Sequence, residues 1–366
     1  MNTYELMPLL IKAALENDRK TLESIAIMIS KKVKLEHPEI SKEIVRSLTL
    51  ETSIARSVSS QPIPVDKESR YELADVQIVT EVDPPILESY TYKQLNDFLQ
   101  ERRLINELIE QDILPPNSIL LFGAPGVGKT YIANWIANQL SLPIITLSLA
   151  SAISSYLGRT GQNIHNVFEY AKSQNAVLFL DELDAIAKRR DDAGDLGELK
   201  RLVNVLLKEL ESCSYSCVII AATNHPELLD KAIWRRFDRA IEVMLPSEAE
   251  RHLIIERHLK LQLDTITPQV RNYLVKHTAS FNAADLCKLC EHIKRNTVIY
   301  KDKPLDLIVL EQLFIISPPK NKKEKEVICQ EIKQAFPDIS QRDIAQITQI
   351  PLSSVSRYLL TNRKED

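Results

Sequence analysis

Gly123-Ala124-Pro125-Gly126-Val127-Gly128-Lys129-Thr130 gathers three of the chain's seven glycines into eight positions. Its spacing, G-x-x-x-x-G-K-T, suits phosphate. Phosphate oxygens are held by backbone N–H groups converging at a helix N-terminus, and glycines keep side chains out of that approach. Lys129 is placed to reach the β- and γ-phosphates, and the Thr130 hydroxyl to hold Mg²⁺. Tyr131 follows directly and is grouped with the same nucleotide-contacting stretch. The apolar run ILLF precedes the motif and YIANWIANQL follows it, which are the strand and the helix that the chemistry requires.

A second constellation begins where Val177-Leu178-Phe179-Leu180 runs into Asp181-Glu182-Leu183-Asp184. A carboxylate ending a buried strand beside a phosphate loop orients Mg²⁺ and its waters, the role expected of Asp181. Glu182 beside it can polarise an attacking water. Helix capping accounts for one acid at a strand-to-helix turn but not for two, so the pair points to hydrolysis. Asn224, after VIIAAT, is a neutral group able to position the same water. In Trp234-Arg235-Arg236-Phe237-Asp238-Arg239, arginines stand where charge on a γ-phosphate can be neutralised. Supplied by a neighbouring subunit, they would make hydrolysis depend on assembly.

These residues need a frame to hold them. The runs ILLF (119–122), IITL (144–147), VLFL (177–180), VIIAA (218–222) and IEVML (241–245) are rich in β-branched residues and alternate with helical stretches. That alternation predicts an α/β fold, a doubly wound, mainly parallel sheet with helices on both faces. Beyond Pro246 the strands stop, and 248–261, 267–278, 282–298 and 305–314 read as helices. Near the start, Leu6, Leu9, Leu10, Ala13 and Ala14, then Leu22, Ile25, Ile29 and Val33, recur at helical spacing. A third helix is expected from Pro38. The organisation expected is a helical unit over 1–51, a linker over 52–91, a nucleotide-binding α/β subdomain over 92–246, a helical lid over 247–317, and a last small helical unit over 318–366.

At 366 residues the chain exceeds what one core usually supports, so attachments around a main domain are expected. A net charge of −4 gives no global attraction to nucleic acid or acidic membrane. No apolar run approaches the ~20 residues of a membrane span, and the first residues lack a basic, cleavable leader. A cytoplasmic protein without membrane partners is expected. Five cysteines, an odd number, fit a reducing compartment. Cys213-x3-Cys217 and Cys287-x2-Cys290 would supply four thiolates for zinc. ADLCKLCEHI, however, reads as a helix in which Cys287 and Cys290 share a face and pack as small apolar groups.

From Ser340 to Leu360 the pattern is that of a helix-turn-helix. Ala345 is small where two helices would cross, Ile350 fills the turn, and Val355 with Leu359 anchors the second helix inward. Ser353, Ser354, Ser356 and Arg357 then face outward, where a recognition helix meets base edges. Gln349 stands nearest to the missing turn glycine. Lys320 to Asp366 holds nine basic and seven acidic residues, a balance that leaves both DNA and a protein partner open.

The motifs GAPGVGKT, SYLG, FLDELDAI, AATN, RRFDR and NAADL occur in this order, and over roughly residues 92–300 the sequence resembles the AAA+ ATPases. The clade it is similar to contains AAA proteases, proteasomal ATPases and related ring-shaped protein unfoldases. The resemblance implies ATP and Mg²⁺ as cofactors, Lys129 and Thr130 as phosphate-loop residues, and Asp181 and Glu182 as the metal-orienting and water-activating pair. It implies Asn224 as a first sensor and Arg236 and Arg239 as trans-acting arginines, with Arg235 in place of a glycine. Tyr156-Leu157-Gly158 occupies the place of the loop that grips an extended polypeptide in the pore of a ring, expected here to be a hexamer. A large aromatic can grip unrelated side chains by area alone. Asn282-Ala283-Ala284-Asp285-Leu286 looks like a lid motif. The D-x-G segment that precedes the phosphate loop in relatives is absent, so adenine contacts have no assignment. The expected activity is ATP hydrolysis coupled to remodelling or threading of a protein. Any proteolysis would need a separate protease, since no H-E-x-x-H is present. The alternative is a DNA-directed ATPase or regulator working through the C-terminal helix-turn-helix.

Overall fold

The computed structural model describes residues 3–15, 25–26, 28–29, 32–33, 37–41, 43, 63–64, 73–155, 160–188, 196–213, 217–260 and 265–360. Residues 1–65 form one compact unit and 66–366 another. In the first, α1 (Thr3–Leu15) turns Leu6 and Ala13 into a small core with Ile25 and Ile29, against which Leu10 and Val33 pack. Leu9 departs from the expected stripe and is exposed.

The second unit is built on a six-stranded sheet: β1 (Asp75–Gln77), β2 (Ser118–Phe122), β3 (Ile144–Ser148), β4 (Val177–Asp181), β5 (Val218–Thr223) and β6 (Arg239–Glu242), in the spatial order β1-β3-β4-β5-β2-β6. Every pairing is parallel except that of β1 with β3. Parallel strands must be covered on both faces, and residues of both parities, such as Ile119 and Leu120 or Phe179 and Leu180, are fully buried. One face packs against α2 (Ser89–Arg103) and α4 (Lys129–Leu140) through Phe98, Leu99, Trp135 and Ile136. Helices α6 (Thr160–Ser173) and α8 (Leu196–Ser212) pack on each other, with α6 against β4.

The short elements α3 (Ile105–Glu110), α5 (Leu149–Ser155), α7 (Ala185–Lys188) and α9 (Lys231–Trp234) also belong to this part. Two sequence expectations change here. The stretch expected as linker contains β1, an edge strand that pairs antiparallel with β3, followed by residues whose apolar members, Val79, Val82 and Leu87, pack on the sheet's core. A strand of three residues is too short to leave a periodic signal. The last strand spans 239–242 rather than 241–245. Met244 and Leu245 are exposed at the rim of a cleft, so an apolar run there did not mean sheet.

Beyond β6 the described residues form helices: α10 (Glu248–His258), α11 (Pro268–His277), α12 (Ala283–Ile299), α13 (Leu305–Ile316), α14 (Lys322–Ala335), α15 (Gln341–Thr348) and α16 (Leu352–Leu360). Their starts are written in the caps. Ser247 and Glu250 form a capping box, and Thr267, Asn282, Asn321 and Ser340 each accept a backbone N–H of the first turn. A single hydrophobic cluster runs from Ile254 through Leu289 and Leu313 to Ile332, Val355 and Tyr358. The last three helices therefore share one core with the four before them. Gln349 takes the left-handed conformation (φ 55°) at the turn between α15 and α16, doing without glycine at a cost of about 1 kcal/mol. Among the described residues no helix is long and apolar enough to cross a membrane.

The candidate nucleotide site

The phosphate loop leaves β2 and enters α4 with Gly123, Gly126 and Gly128 at φ of 144°, 78° and 105°, values that side chains resist. The first two have a second reason to be glycine. A Cβ on Gly123 would lie 2.2 Å from the Val243 carbonyl oxygen, and one on Gly126 would lie 2.6 Å from the Asn282 side chain. Ala124 and Pro125 are exposed at the tip and Val127 is buried beneath it. This is a cradle of backbone at the start of a twelve-residue helix, the arrangement that suits phosphate. Lys129 is buried and its ammonium donates to the carbonyls of Gly123 and Ala124 at 2.8 and 2.9 Å. Burial pushes it below its usual pKa range, against the pull of Asp181 and Asp184. Thr130 is exposed at the mouth of the cradle, and Tyr131 donates its hydroxyl to the Asp83 carbonyl at 2.8 Å.

Asp181 and Glu182 stand at the C-terminal end of β4. Burial raises the Asp181 carboxyl above its usual range, with the Glu182 N–H at 2.8 Å working the other way. Its oxygen donor, with the Thr130 hydroxyl, is of the hard kind that Mg²⁺ takes. Glu182 adopts a left-handed backbone (φ 57°) and accepts a hydrogen bond from Ser148 Oγ at 2.9 Å. Ser148 ends β3, and a lone serine there carries no signal in the sequence. Spacing alone gives Asp184 no role either. Its buried carboxylate accepts from Thr223 Oγ1 at 3.0 Å and from the Asn224 N–H at 3.3 Å, so it holds the end of β5, and with it Asn224, beside the end of β4.

Arg236 and Arg239 lie elsewhere. Arg239 pairs with Ile119 at the start of β2, four residues before Gly123, so the two are separated by about 13 Å of strand. Arg239 donates to the Gln94 carbonyl at 2.9 Å and to Glu101 at 2.6 Å, and Arg236 is ion-paired with Glu211. Tyr156, Leu157 and Gly158 lie outside the described residues. On α16, Val355 and Tyr358 are buried while Ser353 and Arg357 are exposed, with Ser354 and Ser356 between these extremes.

A cleft of about 290 Å³ opens beside the cradle, lined by Ile86, Leu87, Val127, Met244, Ile254 and Ala283 among others. It joins the segment before α2, the phosphate loop and the helical part, three places no local motif could connect. The helical part touches the loop directly: the Ala284 N–H donates to the Gly126 carbonyl at 2.9 Å. The thiols do not assemble a four-cysteine centre among the described residues. Cys287 is hydrogen-bonded with His258 at 3.2 Å, Cys290 and Cys329 are buried in the helical core, and all five are free.

Residues 119–245 match the family model described as "ATPase family associated with various cellular activities (AAA)". The chain is 36% identical over 221 residues to "Uncharacterized AAA family ATPase y4kL" of Sinorhizobium fredii, covering 60% of this chain and 65% of that one. It is 37% identical over 174 residues to "Putative 26S proteasome regulatory subunit homolog" of Methanothermobacter thermautotrophicus, covering 47% and 46%. The chain thus spans between about half and two thirds of these curated relatives. Among solved structures, the FIGL-1 AAA domain superposes with a TM-score of 0.55 over 75% of this chain and 98% of that one, at 20% identity, which establishes the fold.

Proposed function

With an AAA-family ATPase domain as the premise, we propose that this chain hydrolyses ATP in a ring of identical subunits, a hexamer, and uses the energy to remodel or thread a protein. The observation that carries the hydrolysis is the convergence of Lys129, Asp181, Glu182 and Asn224 at the C-terminal ends of adjoining strands, next to the glycine cradle. Gly123 to Tyr131 would bind the nucleotide, with the base directed to the cleft at Val127 and Ile86. Thr130 and Asp181 would hold Mg²⁺, which supplies charge neutralisation on the phosphate oxygens.

In this reading Lys129 gives up its loop carbonyls for phosphate oxygens, a fair exchange for a buried ammonium. Glu182 accepts the proton of the attacking water and Asn224, held by Asp184, orients it. Arg236 and Arg239 sit at the wrong end of their own sheet to serve their own phosphate loop, which supports their acting on a neighbour. The protein substrate, gripped by Tyr156-Leu157-Gly158, is supported by relatives whose names include a proteasome regulatory subunit homolog. A separate protease is a compatible partner, and free thiols suit a reducing cytoplasm.

Steady-state hydrolysis with and without an unfolded protein tests the reading. Stimulation by protein, lost in Tyr156→Ala with ATP binding retained, is the expected outcome; no stimulation by any unfolded protein would overturn threading. A second reading, DNA as the partner, is favoured by one observation: Ser353 and Arg357 stand outward on α16 while Val355 and Tyr358 hold it in the core. Turnover stimulated by duplex DNA and abolished in Arg357→Ala would select it.

A further inference from the structure

Residues 78–88, between β1 and α2, carry neither helix nor strand, and a backbone without regular pairing must find other partners for its carbonyls. Three side chains supply them. Asn138 donates to the Val79 carbonyl at 3.1 Å, Tyr131 to that of Asp83 at 2.8 Å and Arg257 to that of Pro84 at 2.7 Å. Asn138 and Tyr131 lie two turns apart on one face of α4, whereas Arg257 comes from α10 in the helical part. The stretch is thus tied down from both sides.

The last two ties stand directly before the wall of the nucleotide cleft. Ile86 and Leu87 line that cleft, yet they pack in opposite directions: Ile86 on the core of the helical part, Leu87 on that of the sheet. Pro84 and Pro85 come between, and their fixed φ carries the position of the held carbonyls into the wall. Tyr131 immediately follows Thr130, and its hydroxyl is also hydrogen-bonded with the Arg257 guanidinium, so the two donors act as a unit. Burial raises that hydroxyl above its usual pKa range, with Arg257 working the other way, and it stays a donor at neutral pH. Val79 and Val82 already anchor the stretch by packing on the sheet's core. Tyr131 is exposed and Arg257 half-buried, so what these two add is position rather than burial.

We infer that Tyr131 and Arg257 are positioning residues for the nucleotide base, fixing Ile86 and Leu87 as the wall against which it packs, an inference that rests on the nucleotide reading above. This gives the base a place that no motif in the sequence assigns. The effect falls on the base rather than on the phosphates, because the held carbonyls lead into the apolar wall while the cradle is shaped by its own glycines and Lys129.

Comparing ATP with inorganic tripolyphosphate, which carries phosphates without a base, tests this by calorimetric titration of the full chain with Mg²⁺. We expect the parent chain to bind ATP more tightly than tripolyphosphate. ATP affinity should fall about fivefold in Tyr131→Phe and about tenfold in Arg257→Met, with KM for ATP rising by the same factors and tripolyphosphate affinity within about twofold of the parent. Arg257→Lys, which keeps a donor for Pro84, should recover most of the loss. The double variant should lose about tenfold rather than the product of the single effects, since either change frees the same stretch. Asn138→Ala frees the stretch only at Val79 and should leave both affinities within about twofold.

Equal weakening of ATP and tripolyphosphate overturns the inference, because the damage then lies in the phosphate cradle. Unchanged ATP affinity in both single variants overturns it too, as does a loss in Asn138→Ala as large as that in Tyr131→Phe. A parent chain that binds tripolyphosphate as tightly as ATP overturns instead the reading that a base enters the cleft, which separates the two failures. Tyr131→Phe removes a single oxygen and keeps the test decisive where Arg257→Met misfolds.

Discussion

Ser148 at the end of β3 donates its hydroxyl to Glu182 Oε2 across 2.9 Å, and the next residue begins α5, whose last residue, Ser155, immediately precedes Tyr156. One hydrogen bond thus joins the proposed water-activating carboxylate to the helix that leads into the proposed substrate-gripping loop. A hydrogen bond to a charged group contributes about 1.5–3 kcal/mol. In Ser148→Ala we expect kcat for ATP to fall about tenfold with KM nearly unchanged, and Ser148→Thr to retain activity. Equal turnover in wild type and Ser148→Ala would show that Glu182 needs no such support.

The two arginines should separate by stability. Arg239 is three-quarters buried at its side chain and joins β6 to α2 through Gln94 and Glu101. Arg236 and Glu211 are 42% and 48% exposed at their side chains, and solvent-facing pairs contribute about 0–1 kcal/mol. Both Arg236→Ala and Arg239→Ala should lose hydrolysis by about 10³ in assembled protein. Only Arg239→Ala should also lower the melting temperature. A melting curve for Arg236→Ala shifted as far as that of Arg239→Ala would contradict this division.

Gly126 is where the helical part meets the phosphate loop. Gly126→Ala must accept a left-handed φ of 78° and a Cβ 2.6 Å from Asn282, so we expect ATP affinity to fall about tenfold or more by equilibrium titration. Gly161 is the control, since it lies inside α6 and a Cβ there meets only Val205 at 3.4 Å. Gly161→Ala should leave affinity alone and stabilise by about 0.5–1 kcal/mol.

Acid should loosen the helical part. Burial holds His258 and His277 below the usual imidazole range; Lys294 and Arg257 add to this at His258, while Glu331 opposes it at His277. A folded pKa below the unfolded value of about 6.5 means that the unfolded chain binds more protons in acid. Stability from these groups is therefore full above pH ~6.5 and declines as pH falls through that value. Melting temperatures between pH 7.5 and 5.5 should drop, and His258→Asn with His277→Gln should flatten the profile. A wild-type profile that is flat from 7.5 to 5.5 would remove these histidines from the account.

How much of this was legible in residues alone follows the range of each interaction. The phosphate loop, Asp181 with Glu182, and the alternation of strands and helices are short-range patterns: a strand, a turn without side chains and a helix must be contiguous to work, so their spacing displays them. The helix caps at Ser247, Thr267, Asn282 and Ser340 are equally local. Ser148, Asp184 and the Ile86–Val127–Ile254 cleft act across 34 to more than 100 residues, and nothing in their immediate neighbours marks them. Nor could spacing show that Arg239 is tied to α2, that the last three helices share a core with the four before them, or that β1 closes the sheet's edge. Those outcomes depend on which surfaces are buried against which, a property of packing among distant segments, and packing is decided only once the whole chain has folded.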